Sequence, residues 1–129
     1  MDRKVMISGS IFGLIAIILG AFAAHGLEKL IDAASVDSFQ TGVRYQMYHA
    51  LLLLFIGSTD KISKKTKGIL LILLILGLLF FSGSIYGLST NTLTSFDFKN
   101  IGFITPLGGL LLVISWLLLL VEFLKIKKY

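Results

Sequence analysis

Two histidines, one arginine and a set of hydroxyl-bearing side chains stand inside otherwise apolar stretches, and they are the groups with which this chain could do chemistry. His49 lies in a Leu-rich run just after Arg44, Tyr45 and Tyr48, and His25 closes an earlier apolar run. Ser82, Ser84 and Tyr86 sit in a third run, and Thr105 heads a fourth. Arg44 and Tyr48 are four residues apart, as are Tyr45 and His49, so each pair shares a helix face. Ionisable groups in apolar surroundings are costly and point to function or to interior packing.

Several chemistries can be weighed against those residue types. Two histidines on neighbouring helices can ligate haem axially, but His25 near a span end is a poor partner for a buried ring. Zinc or copper needs more ligands than two histidines supply; the chain has no Cys, and only Glu28 or Asp32 stands nearby. No metal or cofactor is therefore expected. A proton-driven carrier needs an intramembrane acid or a histidine relay, and only His49 qualifies. Anion or lipid-headgroup binding fits more residues, because helix N-termini beside Arg44 present positive dipole ends. No carboxylate falls inside a span, and there is no nucleophile elbow, phosphate-binding loop or HExxH, so an enzyme is not expected. The structural alternative is that Arg44 snorkels, Tyr45 and Tyr48 belong to an interfacial belt, and His49 bonds a serine or tyrosine across helices.

The elements that must position these groups follow from composition. Hydrophobic residues make up 56% of the 129 residues and charged residues 15%. Soluble proteins carry roughly 45–50% and 25%. A single small domain leaves much of its surface exposed and cannot hide that apolar excess from water. Lipid can, so the expectation is a membrane protein with the bilayer as its principal partner. Val5 to Ala24, Gly68 to Leu88 and Ile104 to Val121 are free of charge and long enough to cross a hydrocarbon core of about 20 residues. Val43 to Thr59 is shorter and carries Arg44, Gln46 and His49 in its first half.

Charge placement bears on that segment. Lys61, Lys64, Lys65 and Lys67 crowd one short loop, and Lys125, Lys127 and Lys128 the tail. Short Lys-rich loops stay cytoplasmic. Arg3 and Lys4 join them only if the segment from Val43 also crosses, which places nine of the twelve basic residues inside. Four spans with both termini cytoplasmic are predicted, in the cell membrane. A cleaved signal peptide is disfavoured because the first apolar run exceeds the roughly 7–15 residues of an h-region. The net charge of +5 lies in these flanking clusters, without interleaved aromatics, and does not indicate nucleic acid.

Between spans one and two, Leu27, Leu30, Ile31 and Ala34 fall at helical spacing opposite Glu28, Lys29 and Asp32. That pattern predicts a short interfacial amphipathic helix. Ser35 is predicted to cap the next helix, which runs through Phe39, Val43 and Met47. Thr105 is predicted as N-cap of the fourth span with Pro106 first inside it, and Thr90 to Gly102 as an exposed loop. Gly9 and Gly13 form a GxxxG, Gly20 continues that face, Gly83 and Gly87 repeat it, and Gly108 and Gly109 open span four. In lipid, helices associate through such close approach. The expected role is packing inside the bundle; homo-oligomerisation through the same faces is the alternative.

The stretches GAFAAHGL (Gly20 to Leu27), FQTGVRYQMYHALLLL (Phe39 to Leu54), FSGSIYGL (Phe81 to Leu88) and ITPLGGLLLVISW (Ile104 to Trp116) resemble, in order and spacing, the family called domain of unknown function 423, which is similar to the transmembrane protein 256 group. The family commonly reads GAFGAHGL where this chain has Ala23. The resemblance implies a small multi-span membrane protein and supplies no activity. All four motifs map to the external half of the predicted topology, with the polar residues. The expectation is an all-α four-helix transmembrane bundle of a single domain, structural or accessory in role. The alternative is an outer-half pocket of His25, Arg44, Tyr45, Tyr48 and His49.

Overall fold

A computed structural model describes residues 2–127. Four long helices account for most of it: α1 (Asp2–His25), α2 (Ala33–Ser58), α3 (Lys64–Ser89) and α4 (Ile104–Leu124). No strand occurs among the described residues. α1, α3 and α4 are long and apolar enough to cross a membrane. α2 is as long as α3, at 26 residues, or about 39 Å at 1.5 Å per residue. Its polar residues Arg44, Gln46 and His49 keep it from matching the others in hydropathy.

Packing follows chain order. α1 lies on α2, α2 on α3, and α3 on α4, while α1 and α4 share no comparable interface. The array is open, with α2 and α3 central. Its main core joins Val5 of α1, Leu52, Leu53 and Ile56 of α2, Leu70, Leu74 and Leu78 of α3, and Leu112 and Leu119 of α4. A second cluster of Ala23, Leu27 and Phe39 closes the other end.

Glycines set how closely the helices approach. A Cβ on Gly9 would stand 2.8 Å from the Ala50 carbonyl oxygen, so α1 and α2 touch backbone to backbone there. On Gly108 it would meet the backbone of Phe80 and Phe81, which fixes the α3–α4 crossing. Gly20 sits against Val43, whereas Gly13 and Gly109 have only ordinary contacts. Gly87 accommodates the Phe98 ring from the following loop, not a helix. Gly83 takes no part in packing: no atom lies within 4 Å of its Cβ position. The GxxxG spacing of Gly83 and Gly87 therefore does not mark a helix contact, since Gly83 opens into a groove between α1 and α3 and Gly87 receives the Phe98 ring. Gly42, Gly57 and Gly77, absent from any such motif, abut Tyr86, Met6 and Leu112.

One end of the array is tied by charge. Lys67, 3% exposed, donates to Asp2 Oδ1 at 2.8 Å and to the Thr59 carbonyl at 2.6 Å. Glu122 accepts from the Ser63 amide and the Thr66 hydroxyl, both at 3.1 Å. The start of α1, the α2–α3 loop and the close of α4 thus meet at one clamped end. The Lys67 hydrogen bond holds the Asp2 carboxyl below its ordinary 3.8. The Ser63 amide lowers Glu122 likewise from 4.5.

Three local expectations need correction. Leu27 to Ala34 does not form an amphipathic helix: a single 3₁₀ turn, Leu27–Lys29, buries Leu27 completely under Ala23 and Phe39. The α2 cap is Asp32, whose carboxylate accepts from the Ser35 amide at 3.3 Å, so Ser35 lies inside the first turn. α4 begins at Ile104 after Phe103, not at a Thr105 cap. The Thr105 hydroxyl instead meets Ser84 of α3, and Pro106 still falls in the first turn, where its missing N–H costs nothing. The Thr90–Gly102 stretch is largely exposed but holds two 3₁₀ turns, pinned by the Asn91 side chain against Asp97 and the Phe98 amide.

Candidate functional site

The polar residues inside the array form a seam that joins helix to helix, with α2 contributing to most of it. Gln46, 4% exposed, donates to the Phe12 carbonyl of α1 at 2.8 Å and accepts from the Tyr86 hydroxyl of α3 at 2.6 Å. Tyr86 gets that close because Gly42 has no side chain: a Cβ there would stand 2.8 Å from the ring. Ser82 of α3 donates to the Gly42 carbonyl at 2.8 Å. Ser84 and Thr105 link α3 to α4.

His49 makes the remaining cross-helix tie. The Trp116 indole N–H donates to His49 Nε2 at 3.1 Å. An indole nitrogen can only donate, so Nε2 must be unprotonated and the ring proton sits on Nδ1. Nδ1 then donates to the Tyr45 carbonyl at 2.6 Å. Both ring nitrogens are engaged, and a metal or a transferred proton would have to displace Trp116. Among the described residues no three His, Asp or Glu side chains gather to hold a metal ion.

The predicted outer-half pocket is divided in the structure. His25 is exposed at the end of α1, with no side-chain hydrogen bond among the described residues. Arg44 is exposed and donates to Thr41 Oγ1 at 2.9 Å, one turn back along α2. Tyr45 and Tyr48 also point outward, 40% and 53% exposed, with rings 5.8 Å apart. His49 lies about 24 Å from the start of α2 and about 13 Å from its clamped end, near mid-length rather than in the far half. Trp116 reaches the same level from α4.

Two grooves flank the seam. One, of about 220 Å³, runs between α1 and α3 over Gln46 and Tyr86. The other, of about 420 Å³, lies between α2 and α4, with Phe81 of α3 as its floor and Tyr45, His49, Val113 and Trp116 on its walls. Gln46 and Trp116 are the members of the seam that sequence reasoning passed over. A glutamine inside an otherwise apolar helix and a tryptophan whose N–H needs an acceptor were the available signals.

The model of a protein family of unknown function, DUF423, matches residues 19–109. A UPF0382 membrane protein of Bacillus subtilis is 40% identical over 128 residues, which cover 95% of this chain and 98% of the relative. One from Staphylococcus saprophyticus is 38% identical over 127 residues, or 96% and 99%. A UPF0382 inner membrane protein of Escherichia coli is 33% identical over 130 residues, or 98% and 94%. No solved structure matches.

Proposed function

The chain belongs to the DUF423 family of membrane proteins of unknown function, and from that premise we propose a four-span accessory or assembly protein that works by helix packing and partner contact, without catalysis. The observation that carries this reading is how the buried polar groups are used. Gln46, Tyr86, His49, Trp116, Ser82 and Thr105 each bond another helix, so the buried polar groups of the seam serve as ties between helices. Such bonds are the means by which membrane helices are held together where hydrophobic force is absent.

The crossing of α2 is supported by its neighbours. Gly9, Gly20 and Gly57 keep it against α1 from one end to the other. A helix packed along the full length of a membrane span shares its slab. The clamp brings Asp2, Lys67 and Glu122 together, which fits both termini and the lysine-rich loop in the cytoplasm. The turn at Leu27–Lys29 then lies at the opposite surface, with Leu30 turned outward. A cytoplasmic-membrane location agrees with the inner-membrane name of the Escherichia coli relative.

The partner surface in this reading is the outward face of α1, where Leu14 and Ile17 are 63% and 64% exposed. A photocrosslinker at Ile17 in native membranes tests it. The reading expects a discrete protein adduct, either a second copy or another membrane protein. Lipid adducts alone, at Ile17 and also at Leu117 of α4, would contradict it.

A further inference from the structure

We infer that the outward face of α2 at Arg44, together with the groove between α2 and α4, binds one phospholipid, its phosphate on Arg44 and one acyl chain in the groove. The assignment rests on the proposed crossing of α2, which places this site in the leaflet away from the clamped end. Arg44 has no acid beside it: its guanidinium contacts Thr41, and the one ion pair among the described residues is Lys67–Asp2. Its depth is defined by α1. Val43 packs on Gly20, four residues short of the end of the apolar run at Ala24, or about 6 Å inside that edge. The contact with Thr41, one turn nearer the far end, lifts the guanidinium toward the headgroup level, where a long basic side chain is stable.

Below Arg44 the surface changes character in the order a lipid does. Tyr45 and Tyr48 come next, half exposed, and then the groove of about 420 Å³ descends to Trp116. At its base the Trp116 N–H and His49 Nε2 satisfy each other, so nothing there asks for a polar ligand. Gly109 keeps the groove wide: a Cβ there would reach only the Phe81 ring, at 3.5 Å. Charge one residue above the groove at Arg44, Tyr45 on its wall and the apolar Phe81, Leu112 and Val113 within it match phosphate, glycerol ester and acyl chain. A second copy of this chain is a poorer occupant, because Asp2 and Glu122 are bonded at the clamped end and Asp37, two turns from Arg44 along α2, is the one acid of the long helices left to neutralise it. Arg–phosphate contact is the better-matched pair.

Trp116 is the only tryptophan, so its fluorescence reports on the groove directly. The protein is reconstituted into vesicles containing either brominated phosphatidylglycerol or brominated phosphatidylcholine as the quencher. The expected result is quenching by both, with an apparent affinity about fivefold higher for the anionic lipid. Arg44→Gln removes that preference and leaves a weak quenching common to both lipids. Gly109→Leu reduces quenching by either lipid; Val113→Trp paired with Trp116→Phe, read by native mass spectrometry of retained lipid, serves as the second groove-filling variant if Gly109→Leu does not fold. Equal affinity for the two lipids in the unmodified protein overturns the proposal. So does an unquenched Trp116 with a crosslink between Tyr48 positions of two copies, which would make this face a protein interface. Sidedness of the α2–α3 loop, read by labelling, separates failure of the lipid site from failure of the crossing.

Discussion

Replacing Gln46 by Leu tests the seam where it joins three helices. Leucine fits the site without new polar atoms, but two cross-helix hydrogen bonds are lost. The Phe12 carbonyl keeps its own helical partner, so its loss is small. The Tyr86 hydroxyl is the group left stranded, and an unsatisfied buried donor costs about 1–3 kcal/mol. Membrane hydrogen bonds average about 0.6 kcal/mol with a maximum near 1.7. Together these place Gln46→Leu at about 2 kcal/mol of destabilisation. Tyr86→Phe strands Gln46 Oε1 instead and is expected to cost about 1–2 kcal/mol. The double variant strands neither group on the other, so it should be more stable than the sum of the single losses, by about 1 kcal/mol. Reversible unfolding in mixed micelles, followed by far-UV circular dichroism, gives all three values. Additive losses would refute the account, because they would mean that Gln46 and Tyr86 do not share a bond.

His49→Leu leaves the Trp116 N–H without its acceptor and is expected to lower stability by about 1–2 kcal/mol, while His25→Leu, at an exposed helix end, should change it by less than about 0.5 kcal/mol in the same assay. Gly108→Ala must push the Phe80–Phe81 backbone away and should cost about 1–3 kcal/mol; Gly83→Ala, which meets nothing, should be neutral or up to about 1 kcal/mol stabilising in thermal melts. The clamp has a pH signature. Asp2 and Glu122 have folded values below the ordinary 3.8 and 4.5, so their contribution is complete above those values and disappears as pH falls through the lowered ones. Asp2→Asn and Glu122→Gln together should therefore flatten the acid limb of the melting profile below about pH 4 and leave the neutral limb parallel to the unmodified protein.

The sequence made the long helices legible because lipid demands uninterrupted apolar runs, while the caps of α2 and α4 and the turn between α1 and α2 resisted. The helix predicted from a Ser35 cap through Phe39, Val43 and Met47 is α2, which starts at Ala33 and runs through Arg44 without a break. Asp32 displaced Ser35 as cap because both are suitable, and the choice depends on where the buried Leu27 fixes the preceding turn. Thr105 resembled a cap until Ser84 was placed opposite it, a contact between helices that spacing within one helix cannot reveal. The same holds for the glycines. Gly9 and Gly108 lie where backbones cross, but so do Gly57 and Gly77, and only the rotation of each helix distinguishes these from Gly83. The polar residues stood out in the sequence against the apolar runs that hold them. Their division into outward Arg44, Tyr45 and Tyr48 and inward Gln46 and His49 depends on where Phe12, Tyr86 and Trp116 of the other helices meet α2.

The most direct measurement takes advantage of the absence of cysteine from the chain. Single substitutions Glu28→Cys, Asp60→Cys, Ser95→Cys and Lys125→Cys are treated in intact cells with an impermeant maleimide. Labelling of Glu28→Cys and Ser95→Cys from outside, with Asp60→Cys and Lys125→Cys protected until the membrane is opened, is the predicted pattern. Reaction of Glu28→Cys and Asp60→Cys from the same side would show that α2 does not cross, and the account would fail at its base.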